Sequence, residues 1–153
     1  MIVYRLARAK FCQDLSGRGA ELTGGRWNSK GIPMVYTSSS RALCMTEIAV
    51  HMPLGILPAD YFLITISLPN DAPMAAYNEK NLPVGWNSFP HKNVTQAIGD
   101  KFIKDEKFLV LKVPSAVVQG DYNYIINPRH KSMAKVKIED IEDFRFDERL
   151  FIR

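Results

Sequence analysis

"MVYTSSSRALCMTEIAVHM", residues 34–52, decides the fold. Its opening, MVYTSS over 34–39, is aromatic and β-branched and spells a short strand. Ser38, Ser39 and Ser40 then offer a helix cap, and the helix that follows runs to about His51 or Met52, before Pro53. A strand feeding a helix suits a doubly wound sheet only if the alternation continues, and here it does not. Residues 2–7 read as a first strand, and YFLITISLP over 61–69 as another, stopped by Pro69. The stretch 70–93, with Pro73, Pro83 and Pro90, reads mostly as loop. NVTQAIGDKFIKD over 93–105 places Val94, Ala97, Ile98 and Phe102 at helical spacing. FLVLKVPS over 108–115 and NYIINP over 123–128 add two strands. In the tail, the DIED acids read as a turn and a closing strand falls around Phe144–Phe146. The pattern predicts an α+β fold, a mixed sheet with flanking helices, as a single compact domain over 1–153.

The bulk properties narrow the function classes. A chain of 153 residues buries roughly two-thirds of its unfolded surface. No apolar run approaches the ~18 residues of a membrane span, and the N-terminus lacks the pattern of a secretory signal. Cys12 and Cys44 have no CxxC spacing, which fits two free thiols in a cytoplasmic protein. His51, His91 and His130 are scattered, so no metal site is expected. A net charge of +4 suits an anionic ligand, a nucleic acid or an acidic partner. The basic residues are dispersed and no nucleic-acid motif is present, so direct nucleic-acid binding is not expected.

Four positions stand out. Glu47 lies mid-helix among Leu43, Cys44, Val50 and His51, on a helix so apolar that burial on most sides is expected. An unpaired carboxylate there costs several kcal/mol, so either a salt bridge or rim position relieves it, or a ligand meets it. Arg26 follows Gly24-Gly25, where the backbone can approach a ligand closely. The glycines belong to a long connection, 8–34, with a short helix expected near Lys10–Leu15; such loops are commonly functional. No GxGxxG or P-loop pattern accompanies them. Tyr36 is either a core residue or a wall for a planar ring. Ser115, after Pro114, is either a turn or cap serine or a hydroxyl presented to a site; no GxSxG elbow supports a serine hydrolase.

Joined in order, YR at Tyr4-Arg5, SGRGA at 16–20, GGRWNSKG at 24–31, VYTSSSRALCMTE at 35–47, LKVPSA at 111–116 and NYIINPRH at 123–130 resemble the RES domain. That domain is the toxin half of bacterial RES–Xre toxin–antitoxin modules. The resemblance covers almost the whole chain. It implies an ADP-ribosyltransferase-like fold with NAD as substrate in a cleft and no separate cofactor. It also implies cleavage of the nicotinamide–ribose bond, by hydrolysis or phosphorolysis, or else transfer of ADP-ribose to a protein. The family's catalytic set carries over as Arg26, Glu47 and Ser115, with Arg5 a second arginine toward the pyrophosphate. Tyr36 would stack on the nicotinamide, and Asn28 and Asn127 would form polar walls. Trp27 is expected to anchor its loop in the core. An Xre-like antitoxin would cover the site in a higher-order complex. The competing non-enzymatic reading is a basic binding module.

Overall fold

The computed structural model describes residues 1–151. Its strands are β1 (Ile2–Arg8), β2 (Val35–Ser38), β3 (Tyr61–Ser67), β4 (Met74–Ala76), β5 (Val110–Pro114), β6 (Tyr122–Ile126) and β7 (Lys137–Phe144). They form one sheet in the order β4-β5-β6-β2-β1-β3-β7. Only the β4–β5 pair is parallel; the other neighbours run antiparallel, which makes the sheet mixed and the domain single.

The pairing is uneven. β1 and β3 register from Ile2↔Ser67 to Arg8↔Tyr61, whereas β1 and β2 pair only at Tyr4↔Ser38. Past that point the two strands part, and the sheet carries an opening at its middle.

Three helices accompany the sheet: α1 (Arg18–Thr23), α2 (Arg41–Ala49) and α3 (Asn93–Asp105). Of the three candidate caps, Ser40 is the one used, its Oγ accepting from Leu43 N at 3.1 Å. α2 covers the β1–β3 half of one face, where Leu6, Leu63 and Cys44 pack with Met45, Ile48, Phe146 and Phe151. α3 covers the β5–β6 half of the same face. Phe102 and Ile103 meet Leu111, Val113 and Ile125 there, with Trp27, Met34 and Trp86 filling the space between. The opposite face buries Val3, Val35, Ile64, Ile66 and Ile126 under the chain around Cys12, Leu15, Met133 and Val136.

Four expectations are corrected. α2 has only Leu43 and Cys44 fully buried, because one flank packs on the sheet while the other borders the opening. The helix near Lys10–Leu15 is replaced by a 3-10 turn at Ala9–Phe11 and by α1 further on; α1 carries Gly19 and little apolar periodicity to announce it. Within 70–93 the chain forms β4, too short for a period to show, and a 3-10 turn at Glu79–Asn81 capped by Asn78. The DIED acids lie inside β7, where a bulge opposite Thr65/Ile66 breaks the alternation that marks a strand. Phe144 ends that strand. Phe146 beyond it is the hub of edge-on contacts with Tyr61, Phe144 and Phe151 at centroid distances of 5.5, 5.0 and 5.5 Å.

Close approach of α3 to the glycine loop fixes one glycine. A Cβ on Gly99 would lie 1.7 Å from the Trp27 carbonyl oxygen, an overlap only backbone movement can relieve. Gly99→Ala is expected to destabilise the domain by about 3 kcal/mol or more in urea unfolding. Gly19, on α1 with open space around it, is the control: Gly19→Ala is expected to be neutral or to stabilise by about 0.5 kcal/mol.

Candidate active site

A cavity of about 830 Å³ occupies the opening between β1 and β2, within the roughly 300–1,000 Å³ of ligand pockets. Arg5 and Leu6 form one lip, and Tyr36, Thr37 and Ser38 the other. α2 supplies Cys44, Glu47 and Ile48, the glycine loop supplies Gly24 to Trp27, and Asn123 of β6 completes the floor.

Glu47 is half-buried and faces this space. Its Oε1 accepts from Ser115 Oγ at 2.9 Å and from Asn123 Nδ2 at 2.7 Å. Oε2 has no hydrogen-bond partner among the described residues. The ion pairs among those residues all lie elsewhere, so the salt bridge considered for Glu47 is not made. Two neutral donors hold one oxygen, and the other is left to the cavity.

The glycine loop is clamped in place. Gly25 N donates to Asn28 O at 2.9 Å, and a Cβ on Gly25 would meet the Tyr36 hydroxyl at 2.8 Å. From α3, Thr95 Oγ1 donates to Arg26 O at 2.6 Å, and Gln96 Nε2 donates to Gly25 O and Asn28 O at 3.0 and 3.1 Å. The Arg26 side chain lines the cavity while its Nη1 donates to the carbonyls of Trp86 and Ser88 at 2.8 and 3.0 Å. Burial draws its pKa down, opposed by the Glu47 and Tyr36 charges. Arg5, more deeply set, donates to the Asp14 carbonyl. Burial lowers its pKa as well, with Asp14 and Cys44 opposing. An arginine stays protonated through such shifts, so the cavity holds two cations and one carboxylate with no direct pairing between them.

The remaining expected residues divide. Tyr36 lines the cavity and also serves the loop, its hydroxyl donating to Asn28 Oδ1 at 2.7 Å and accepting from Trp27 N at 3.0 Å. Burial raises its pKa far above the usual phenol value. Trp27 is 3% exposed and anchors the loop in the core, as expected. Ser115 does not reach the cavity. It is buried, and its hydroxyl accepts from Val117 N and Val118 N, both at 3.0 Å, besides donating to Glu47. One donor and two acceptor sites are thereby filled, so Ser115 acts on Glu47 and not on a ligand.

Asn28 and Asn127 are corrected outright as cavity walls. Asn28 is fully buried, with Nδ2 on the carbonyls of Ala20 and Ile32 at 2.8 and 2.9 Å. Asn127, also fully buried, caps the carbonyls of Phe102 and Ile103 at 3.3 and 3.2 Å. Both amides satisfy backbone that the fold buries.

Sequence reading missed Asn123, Ser38, His51, His91 and Phe89, all of which line the cavity. Asn123 left one signal: alternation along YNYII places it on the face of buried Ile125, where a polar residue requires a partner. His51 stands one turn past Glu47, just beyond the end of α2, where its helical spacing from Glu47 is the signal; His91 and Phe89 lie in chain whose path periodicity does not reveal.

A mixed sheet parted at its centre, with a donor-held carboxylate and two unpaired arginines around the gap, defines an α+β domain with a charged central cavity. The RES domain model matches residues 2–147, and the chain belongs to the RES domain family. Among its relatives is the Prs ADP-ribosylating toxin of a Sphingobium species, 37% identical over 94% of this chain and 91% of that protein. The Toxin Res of Pseudomonas putida is 36% identical over 99% of this chain and all of its own length, and that of Photorhabdus laumondii is 36% identical over 98% and 97%. The toxin–antitoxin complex MbcT–MbcA of M. tuberculosis contains a similar fold. Its TM-score is 0.75 at 22% identity, covering 94% of this chain and 84% of that one.

Cys44 reports on the closure of the α2 flank. Its Sγ donates to Tyr4 O at 3.0 Å, and burial pushes the thiol up to about 11. With so little thiolate at pH 8, iodoacetamide is expected to modify half-buried Cys12 while sparing Cys44 in the folded protein. Mass spectrometry of the labelled peptides checks this, and equal labelling would mean that the flank opens.

Proposed function

We propose that the protein is the toxin of a toxin–antitoxin pair and that it consumes NAD by cleaving the bond between nicotinamide and ribose. The observation that carries this reading is Glu47, with Oε1 bound to Ser115 and Asn123 and Oε2 turned to a cavity of dinucleotide size. In the reaction the C1′–N bond breaks and its electron pair goes to the nicotinamide nitrogen, which departs neutral. No strong general acid is therefore needed, unlike glycoside hydrolysis with its paired carboxylates. Positive charge grows on the ribose as an oxocarbenium-like ion. A preorganised carboxylate beside it lowers the barrier and orients the ribose hydroxyls. Arg26 and Arg5 supply the bidentate geometry that a pyrophosphate requires, and the Tyr36 ring offers a face to the cationic nicotinamide. Water completes the cycle by bonding to C1′ and releasing a proton; inorganic phosphate attacking the same carbon gives ADP-ribose 1″-phosphate.

Purified protein is expected to release nicotinamide from NAD, with phosphate dependence separating phosphorolysis from hydrolysis. Glu47→Gln is expected to lower the rate by at least about 100-fold with the thermal unfolding midpoint kept. No nicotinamide release, and no transfer to protein, from antitoxin-free wild-type protein would overturn the enzymatic reading.

A second acceptor has its own support: the Sphingobium relative is named for ADP-ribosylation. Under that reading a nucleophilic side chain of a protein takes the place of water at C1′. NAD labelled in the adenosine moiety distinguishes the two, since label then stays with protein after denaturing electrophoresis.

The partner follows from the same reading. A lone copy would deplete its own cell, so an antitoxin is proposed to cap the cavity. The solved complex of the fold neighbour supports a partner of that kind. So does the exposed apolar rim, where Phe89 and Val50 border the cavity at 87% and 55% exposure. The product of an adjacent reading frame is expected to co-purify with this chain and to suppress nicotinamide release.

A further inference from the structure

Asn123, one of the two donors to Glu47, is also a wall residue of the cavity. It stands on β6 directly across from Ser38 of β2. Its Nδ2 donates to Glu47 Oε1 at 2.7 Å, and its Oδ1 accepts from Ser38 Oγ at 2.8 Å. The two ends of an amide are chemical opposites. Turned over, Asn123 would set its carbonyl oxygen against a carboxylate oxygen, an arrangement stable only with a proton between them. The Ser38 hydroxyl has one proton, and giving it to Oδ1 leaves the NH₂ group nowhere to face but Glu47. Ser115 approaches the same Oε1 from the end of β5. Donors from two strands thus converge on one oxygen, and a third strand sets the orientation of one of them.

We propose that Asn123, oriented by Ser38, is the positioning residue that holds Oε1 of Glu47 and fixes its second oxygen toward the cavity. Donors to the charged form of a carboxylate favour that form, and a carboxylate meant to stabilise positive charge must be ionised at working pH. The titratable and charged groups around Glu47 are few. They are Arg26 of the glycine loop, Arg5 of β1, Tyr36 of β2, Cys44 and His51 at its own helix, and His91 across the cavity. None of them bonds Glu47 directly among the described residues, so the hydrogen bonds that orient it come from the two neutral donors.

The kinetic arm of the test rests on the NAD-cleavage reading; the titration arm does not. Asn123→Asp nearly preserves shape but puts a second carboxylate beside Oε1. Such a pair holds one proton, and the acid limb of kcat against pH is expected to move up by about one pH unit or more. KM for NAD should stay within about threefold, since the change falls on transition-state stabilisation rather than on ground-state binding. Asn123→Ala is expected to lower kcat about tenfold, the effect of removing one preorganised donor. Ser38→Ala is expected to lower it about threefold in the native background and not at all in Asn123→Ala, because the two act in series. A merely structural role would lower the folded fraction and leave the pH profile in place.

Carboxyl-¹³C labelling of glutamate gives the second readout without substrate. By NMR, the Glu47 carboxyl is expected to titrate at higher pH in Asn123→Asp, and upward by less in Ser38→Ala. A Glu47 titration unchanged in both variants would overturn the proposal. If the wild-type protein does not turn over NAD while the NMR shifts occur, the functional reading fails and the positioning role stands.

Discussion

β1 and β2 form a ladder at one residue pair, Tyr4 with Ser38, and the architecture around the cavity follows from that single meeting. A continuous ladder would close the sheet and leave only its faces for ligands. Parted strands put side chains from both lips, and from the helices above, around one volume. α2 caps the β1 side and α3 the β6 side of the same face, so the opening is walled by elements whose positions the two hydrophobic clusters fix. The flexible-looking glycine loop is held to α3 through Thr95 and Gln96. What reads as a long connection is one rigid wall of the site.

Electrostatics within that volume are arranged by neutral groups. Burial weakens both arginines' hold on their protons, yet neither is neutralised by a carboxylate. Arg26 rests on two carbonyl oxygens and Arg5 on one. Glu47 in turn rests on an amide and a hydroxyl. Charges kept apart by neutral partners remain available to a ligand carrying both signs, such as a pyrophosphate joined to a cationic ring. Had Arg26 and Glu47 formed a bidentate pair, a ligand would first have to break it.

The sequence made the strong elements legible for plain reasons. β3 and α3 carry long, clean periods, and both lie within two residues of where those periods set them. Arg26, Tyr36 and Glu47 were legible because each sits at a position that is costly without a purpose, and all three line the cavity. Ser115 reads from the sequence either as a turn serine or as a hydroxyl for a ligand; in the fold its hydroxyl accepts from Val117 N and Val118 N and donates to the carboxylate behind the wall. Asn28 and Asn127 misled because a buried amide serving backbone carbonyls looks, in one dimension, like a polar wall. Asn123 and Ser38 were passed over because their meeting is a matter of strand register, which a single sequence does not carry. β4 and β7 were lost to shortness and to a bulge.

The sheet's two margins carry a consequence of their own. One is β4, three residues long; the other is β7, whose outer row includes Glu139, Asp140 and Asp143. A short margin and an acidic one are both poor templates for another strand. Both margins thus discourage edge-to-edge growth of the sheet, and strand addition by a partner finds a poor template at either one.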